Sequence, residues 1–346
     1  MRLGLNLGYL TGPSPAEAAA EALALTRAAE ENGFDSVWVA EAYGTDTVSV
    51  LGWLAAGTTR IGLGSAVMQI PARAPAMTAM TAATLDVLSG GRFRLGLGVS
   101  GPQVSEGWYG QRFARPLVRT REYVDVVRQL LARQPSSYSG SEFTLPLPDG
   151  PGTPLRLMQP APRDDLPVYL AAVGPRNVEL AGEIADGWLP VFLCPDDCSA
   201  SLDRLRAGQS RRTRNVEYDI CATVPALVVE GRGEERTVAE LPLRRHVALY
   251  VGGMGSREQN FYADLGRRLG FASAVDEVQE HFLAGRHREA ALAVPREFLE
   301  ATCLVGSVAG MRRRLDDYAA AGVTTVSLAP VAGDPVARND LLRALG

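Results

Sequence analysis

Two hydrophobic periods alternate along the chain. Short runs such as "RLGLNLGY" (2–9) are apolar at nearly every position. Longer Ala/Leu/Glu stretches return an apolar residue every three or four positions. The first pattern predicts strands buried on both faces, and the second predicts helices packed on them. The predicted strands are 2–9, 34–41, 60–70, 92–99, 166–174, 186–193, 217–229 and 324–330. Helices are expected between them, over 14–33, 46–58, 74–91, 115–133, 175–185, 195–212 and 308–323. The first helix carries its own punctuation: Ser14 opens it, Glu17 follows three residues on, and Gly33 stops it. That is a capping box at one end and a glycine stop at the other.

Eight strands alternating with helices imply a parallel sheet, and eight is the number that closes a (β/α)8 TIM barrel. An open doubly wound sheet is the alternative. Two segments fall outside the alternation. Residues 134–165, rich in Pro, Gly and Ser, form an insertion after strand four. A helical stretch from about Leu241 to Glu300 follows strand seven. No second block of composition appears, so the expectation is one domain, residues 1–346, with insertions after strands four and seven.

"RLGLGVSG" holds Gly96-x-Gly98-x-x-Gly101, the spacing of a dinucleotide fingerprint. A Rossmann site needs it at the first strand–helix turn, with the helix N-terminus beneath the pyrophosphate. Here it follows the fourth strand and runs into Pro102, with the next helix expected only near Pro116. In a barrel these glycines instead sit at the C-terminal end of a strand, where missing side chains let a flat ligand lie against the backbone.

The other strand ends converge on the same picture. Strand one ends in Asn6, Leu7 and Gly8, and strand two in the acid Glu41. Strand three ends in Gly64, Ser65 and Ala66. Strand five ends in Ala172, Val173 and Gly174, after which Pro175, Arg176 and Asn177 open a helix. Small residues, one acid and a Gly-Pro helix start describe a backbone-lined pocket for a planar ring, with an anion site at a helix N-terminus. Gln69, Trp108, Tyr109 and Trp188 are expected in the substrate pocket, with the 135–166 insertion as a cap.

Composition narrows the chemistry. The net charge is −4, so no basic field draws in nucleic acid. No run approaches the ~20 apolar residues of a membrane span. All 35 basic residues are arginines, which excludes Schiff-base chemistry. Cys194 and Cys198 stand in "CPDDC" without a second pair, so no metal site is expected. Four cysteines and no visible targeting segment suit a reducing cytoplasm.

"NGFDSVWVAE", "IGLGSAVMQIPAR", "LSGGRFRLGLGVSG" and "AAVGPRNVELAGEIADGWLP" together resemble the luciferase-like monooxygenase superfamily. Within it they resemble the branch that uses the deazaflavin coenzyme F420, such as methylenetetrahydromethanopterin reductase and F420-dependent glucose-6-phosphate dehydrogenase. The resemblance runs from Met1 to about Pro330 and implies a cofactor site. Ser65 and Ala66 match a strand-three bulge that often carries a non-prolyl cis peptide against the ring. Ala172, Gly174, Pro175, Arg176 and Asn177 match the segment whose N–H groups hold the cofactor phosphate. Gly98, Val99 and Ser100 match the strand edge beside the ring, and Asn6, Gly8 and Gly64 complete the bed. Glu41 matches an acidic or histidine position near ring and substrate, which implies a proton donor or a group that orients one.

The sugar-phosphate dehydrogenases place a glutamate where Val99 stands and use lysines that this chain lacks, so a sugar phosphate does not fit. The resemblance implies hydride transfer between reduced F420 and an activated C=C or C=N of a small organic or peptide substrate, in a homodimer paired through helices of the first half. An FMN-dependent monooxygenase and a non-catalytic flavin-binding member are the alternatives it leaves open.

Overall fold

The structure is a computed structural model that describes residues 1–10, 14–159, 163, 165–332 and 334–346. Eight parallel strands close into a barrel. They are β1 (Arg2–Gly8), β2 (Ser36–Val39), β3 (Gly62–Ser65), β4 (Phe93–Gly98), β5 (Val168–Ala171), β6 (Gly187–Leu189), β7 (Asp219–Val228) and β8 (Thr325–Pro330). Each pairs with the next in order, and β8 returns to β1 to seal the ring. The closed sheet confirms the TIM barrel and removes the open-sheet alternative. It also settles the Gly96–Gly101 motif, which sits on the fourth strand of a closed barrel.

The helices begin and end where the punctuation placed them. In α1 (Pro15–Glu31) the Ser14 side chain accepts from the Glu17 N–H, and Gly33 follows at φ +79°. In α3 (Pro75–Ser89) Gly90 caps in the left-handed region at φ 68°. The other packing helices are α2 (Thr47–Gly57), α4 (Pro116–Leu131), α5 (Pro175–Ile184), α6 (Ser199–Gln209), α7 (Val308–Ala320) and α8 (Pro335–Leu345).

Four details depart from the sequence reading. A helix over Pro102–Gly107 begins directly after Gly101, where a loop was expected. β6 is three residues long, and past Pro190 only an isolated bridge from Val191 to Thr223 continues its pairing with β7. The helical stretch after β7 divides into separate helices, among them Leu241–Ala248, Phe261–Arg268, Ala272–Leu283 and Arg296–Thr302. A short strand, Leu304–Gly306, then pairs with β7. Finally, no described residue of the insertion after β4 lines the mouth of the barrel. The insertion holds a hairpin, Tyr138–Ser139 with Thr144–Leu145, pinned to α4 because Glu122 accepts from the N–H groups of Ser141, Glu142 and Phe143.

Inside the barrel, Trp38, Tyr169, Leu189 and Cys221 form one packed layer, with Trp38 edge-on to Tyr169 at 5.1 Å. Below it the N-terminal end is closed by charge. Asp219 accepts from Tyr169 at 3.0 Å and pairs with Arg2 at 3.0 Å, while Arg94 pairs with Asp35 at 2.7 Å. The barrel is therefore plugged from below and opens only toward the C-terminal ends of its strands.

Candidate active site

A cavity of about 1560 Å³ sits over those strand ends. A pocket for one drug-sized ligand is typically ~300–1,000 Å³, so this one has room for two molecules side by side. Its floor and near wall are mostly backbone. β1 bulges between Asn6 and Gly8, with Gly8 at φ +64°, and the Asn6 side chain reaches Thr223 on β7 at 3.3 Å. The Ala66–Val67 peptide is cis and lies in the cavity wall. Beside it Gly98 leaves a gap: a Cβ there would stand 2.5 Å from Val67 Cγ2. Ser100 turns the chain out of β4 at φ 63°.

At one end of this bed α5 begins. Gly174 caps it with no side-chain hydrogen bond, and only the N–H groups of Asn177 and Val178 fold back onto the Gly174 carbonyl. Pro175 contributes no N–H, and the Arg176 guanidinium is exposed beside the opening. A helix start of this kind offers unpaired donors and the positive end of a dipole.

Glu41 lines the cavity as one half of an ion pair. It is buried, and Arg73 grips both its oxygens, at 2.5 and 2.7 Å. The Gln69 N–H adds a bond at 3.1 Å, and the Gln69 side chain returns to the Glu41 carbonyl at 2.8 Å. Arg73 also reaches Asp46 at 2.8 Å. Its bidentate bond to Glu41 pushes the Arg73 pKa up. Burial alone would raise Asp46, but bonds from Ser49 and the Arg73 charge win and hold it below the usual carboxylate range. Both oxygens of this carboxylate are taken up by hydrogen bonds from Arg73 and the Gln69 N–H. Glu41 thus locks the loop after β2 to the segment after β3.

Of the residues expected at the site, Asn6, Gly8, Glu41, Ala66, Gln69, Gly98, Val99, Ser100, Trp108, Gly174, Pro175, Arg176 and Asn177 all line the cavity. Gly64, Ser65, Ala172, Tyr109 and Trp188 do not. Gly64 makes room for the Trp38 ring in the layer below. The Ser65 hydroxyl is spent on the Gly96 backbone at 2.8 and 2.9 Å. Tyr109 donates to the Ala42 carbonyl at 2.8 Å. Ala172 and Trp188 miss by strand parity: their neighbours Ala171 and Leu189 face inward, while they face the helices, joined by the Trp188 indole N–H to the Ala172 carbonyl at 2.9 Å.

The far wall comes from the insertion after β7. The helix Leu241–Ala248 buries Leu243 and Val247 in a second apolar core and turns Pro242, Arg245 and His246 to the cavity. Leu249, Tyr250, Met254, Phe261 and Tyr262 continue that wall, and Tyr9 meets it from the end of β1. Gly252 and Gly253, glycine-rich in sequence like a phosphate loop, serve packing: a Cβ at either would strike Phe282 at 2.5 Å. Periodicity along 242–250 was the signal available for this wall. Which face it turned inward depended on a core built from distant residues.

Comparison with known proteins agrees with this architecture. The sequence model of the family described as luciferase-like monooxygenase matches residues 1–325. A Mycobacterium tuberculosis protein provisionally named a coenzyme F420-dependent oxidoreductase is 45% identical over 332 residues, spanning 94% of this chain and 93% of its own. The 5,10-methylenetetrahydromethanopterin reductase of Archaeoglobus fulgidus is 30% identical over 317 residues, 89% of this chain and 87% of its own. The solved coenzyme F420-dependent tetrahydromethanopterin reductase of Methanopyrus kandleri superposes with TM-score 0.81 at 24% identity, covering 100% of this chain and 97% of that one.

Proposed function

The chain belongs to the luciferase-like monooxygenase family, and on that premise we propose that it is an F420-dependent oxidoreductase that transfers a hydride between reduced F420 and an activated C=C or C=N of a small organic or peptide substrate. The observation that carries this reading is the backbone-built bed ending at the open N-terminus of α5. Its residues fit the cofactor. Ala66, Val67, Gly98 and Ala171 raise nothing longer than a valine side chain toward the cavity, which suits a flat ring. Among the described residues Glu41 is the one carboxylate lining the cavity, and Arg73 neutralises it. Arg176 and Arg245 stand at the rim, so the surroundings accept an anionic tail.

Gly174, Arg176 and Asn177 would hold the phosphate, and Gly98, Val99 and Ser100 the ring edge. Bound there, F420 supplies a two-electron hydride carrier. The protein's own part is to fix the ring, exclude water and orient the acceptor. The Glu41–Arg73 clamp contributes rigidity beneath the ring.

The reading treats residues 1–346 as one domain acting in the cytoplasm, where its four free cysteines suit a reducing setting. No helix among the described residues is long and apolar enough to cross a membrane. It also takes the working form as a homodimer. Trp53, Met77, Met80 and Leu88 project from α2 and α3, each more than half exposed, and favour pairing through that face. The deciding experiment is a fluorescence titration with oxidised F420 and, separately, FMN. Micromolar F420 binding with weak FMN binding is expected. Preference for FMN would move the protein to the oxygen-using members. F420 binding without turnover of any electron-poor alkene or imine would make it a non-catalytic carrier.

A further inference from the structure

We propose that Tyr9, Tyr250 and Tyr262, with His246 beside them, form the binding site for the oxygen of an uncharged, largely apolar carbonyl substrate. The proposal rests on the functional reading above and names the substrate class of the same cavity.

Four polar side chains line this wall, and among the described residues neither the three phenol hydroxyls nor the His246 ring nitrogens have a hydrogen-bond partner. All four residues are half-buried at the cavity surface, so their polar atoms are left for whatever fills the cavity. The rings are also gathered. Tyr250 meets Tyr262 edge-on at 5.0 Å, and His246 lies 5.0 Å from Tyr250. Phe192 backs the group at 5.3 Å from Tyr250 and 6.4 Å from Tyr262. Tyr9 arrives from the opposite side of the cavity, its ring admitted by Gly44, where a Cβ would stand 2.9 Å away. A strand end and an insertion some 240 positions apart in sequence thus bring their phenols to one cavity, near enough to act on one another electrostatically.

Their state suits donation. Burial, with the neighbouring tyrosines adding to it, pushes Tyr9 and Tyr250 above their ordinary values and Tyr262 up to about 12. Burial pushes His246 down to about 4. At neutral pH all four are uncharged, and each offers an O–H or N–H. The rest of the wall is Pro242, Leu249, Met254 and Phe261, with Arg245 exposed at the rim. No charged side chain stands among these four apolar residues, so a charged group seated against them would be costly to desolvate. A neutral molecule with one acceptor oxygen and an apolar body satisfies both features.

For a conjugated enone the step balances. The hydride and its electron pair add to the β-carbon. The C=C pair shifts to form a new C=C toward the carbonyl carbon, and the carbonyl π pair moves to oxygen as an enolate. The phenol donors stabilise that charge, and a proton from water at the α-carbon completes the saturated ketone. The reduced cofactor is the reductant and leaves two electrons poorer. Donors aimed where charge develops act on the transition state more than on the bound substrate.

The test uses the full chain loaded with oxidised F420 and 4-phenylbut-3-en-2-one as the probe, read by infrared difference spectroscopy of its carbonyl stretch. Wild type should bind the probe with the stretch lowered relative to an apolar solvent. Tyr250→Phe and Tyr262→Phe, which keep the ring and remove the hydroxyl, should each lessen that lowering. Probe Kd should rise about 5- to 10-fold, and kcat/KM for probe reduction should fall ~10- to 100-fold, with F420 Kd unchanged. A wild-type protein that does not bind the probe, or variants with wild-type stretch and kcat/KM, would overturn the proposal. Failure to bind F420 would instead reject the cofactor reading. A tyrosine-dependent shift of the probe in cofactor-free protein would then leave the oxygen site standing.

Discussion

The two sides of the cavity are built from different materials. The side under β3, β4 and β5 is backbone: glycines, alanines, a cis peptide and an open helix start. The side formed by Leu241–Tyr262 is aromatic rings with unspent hydroxyls. Backbone groups cannot be exchanged by mutation, so such a bed suits a ligand that never changes. Side chains are replaced one at a time, so such a wall suits a ligand that differs between relatives. The contrast says which substitutions should touch the cofactor and which the substrate.

The largest effect falls behind the bed, where one ion pair holds it. Glu41 and Arg73 side chains are 5% and 17% exposed. Removing one partner of a buried pair strands the other charge, at a cost of about 3–5 kcal/mol. Glu41→Ala should lose stability at the low end of that range, because Asp46 remains beside Arg73. Urea unfolding of the cofactor-free protein measures it. Glu41→Gln separates the two roles. If Glu41 supports the bed, stability and F420 affinity drop together. A variant of normal stability and affinity with kcat alone reduced would mark it as a proton donor.

The wall carries the next effect, and it depends on pH. An unfolded histidine titrates near 6.5, whereas His246 in the folded wall is held down near 4 by burial. Between those values the unfolded chain binds more protons, so stability declines as pH falls from about 6.5 to 4. The full loss is roughly 3 kcal/mol. His246→Phe keeps an aromatic ring against Tyr250 and removes this contribution. Unfolding midpoints of the two proteins at pH 7.5 and 4.5 should therefore diverge in wild type's disfavour at the lower pH. Parallel pH curves would show that the histidine is solvated like any surface residue.

The bed itself is broken most directly at Gly98. A Cβ there lies 2.5 Å from Val67 Cγ2 and 3.8 Å from the Ala171 Cβ, so Gly98→Ala must push Val67 up into the floor. Overpacking of this size costs about 1–3 kcal/mol. F420 should bind roughly 10- to 100-fold more weakly, while the cofactor-free protein still binds the phenylbutenone probe. Equal loss of both ligands would mean that the cavity has no division into two halves.

The same division explains what could be read from the sequence. Bed residues sit at strand ends, and a strand end announces itself locally: Gly98 closes "RLGLG", and Gly174–Pro175 opens a helix. The errors there are errors of parity. Ala172 and Trp188 were placed inward, but a two-residue period turns their neighbours Ala171, Val173 and Leu189 to the cavity instead. Glu41 lies where a strand end places it, and its partner Arg73, 32 positions on, is not announced by any local pattern. Locally the wall shows only the helical period along 242–250. Tyr250 lines the cavity because Leu243, Val247 and Val251 pack into a core completed by Phe298 and Leu299. That core, not the hydrophobic period, decides which face of the helix looks inward.

The smallest effect sharpens the comparison at the phosphate end. There the bed offers both kinds of group: the unpaired N–H donors of the α5 start and the side chain of Arg176. The guanidinium is exposed, so its attraction to a phosphate acts through water and is screened by salt. Such a charge contributes about 0.5–1 kcal/mol, and Arg176→Ala should raise the F420 Kd only two- to fivefold. The difference should shrink further as ionic strength rises, because the backbone donors and the helix dipole remain in place. A loss of a hundredfold or more, independent of salt, would mean that the phosphate is held by a side chain after all, and that the bed is less purely backbone than its geometry indicates.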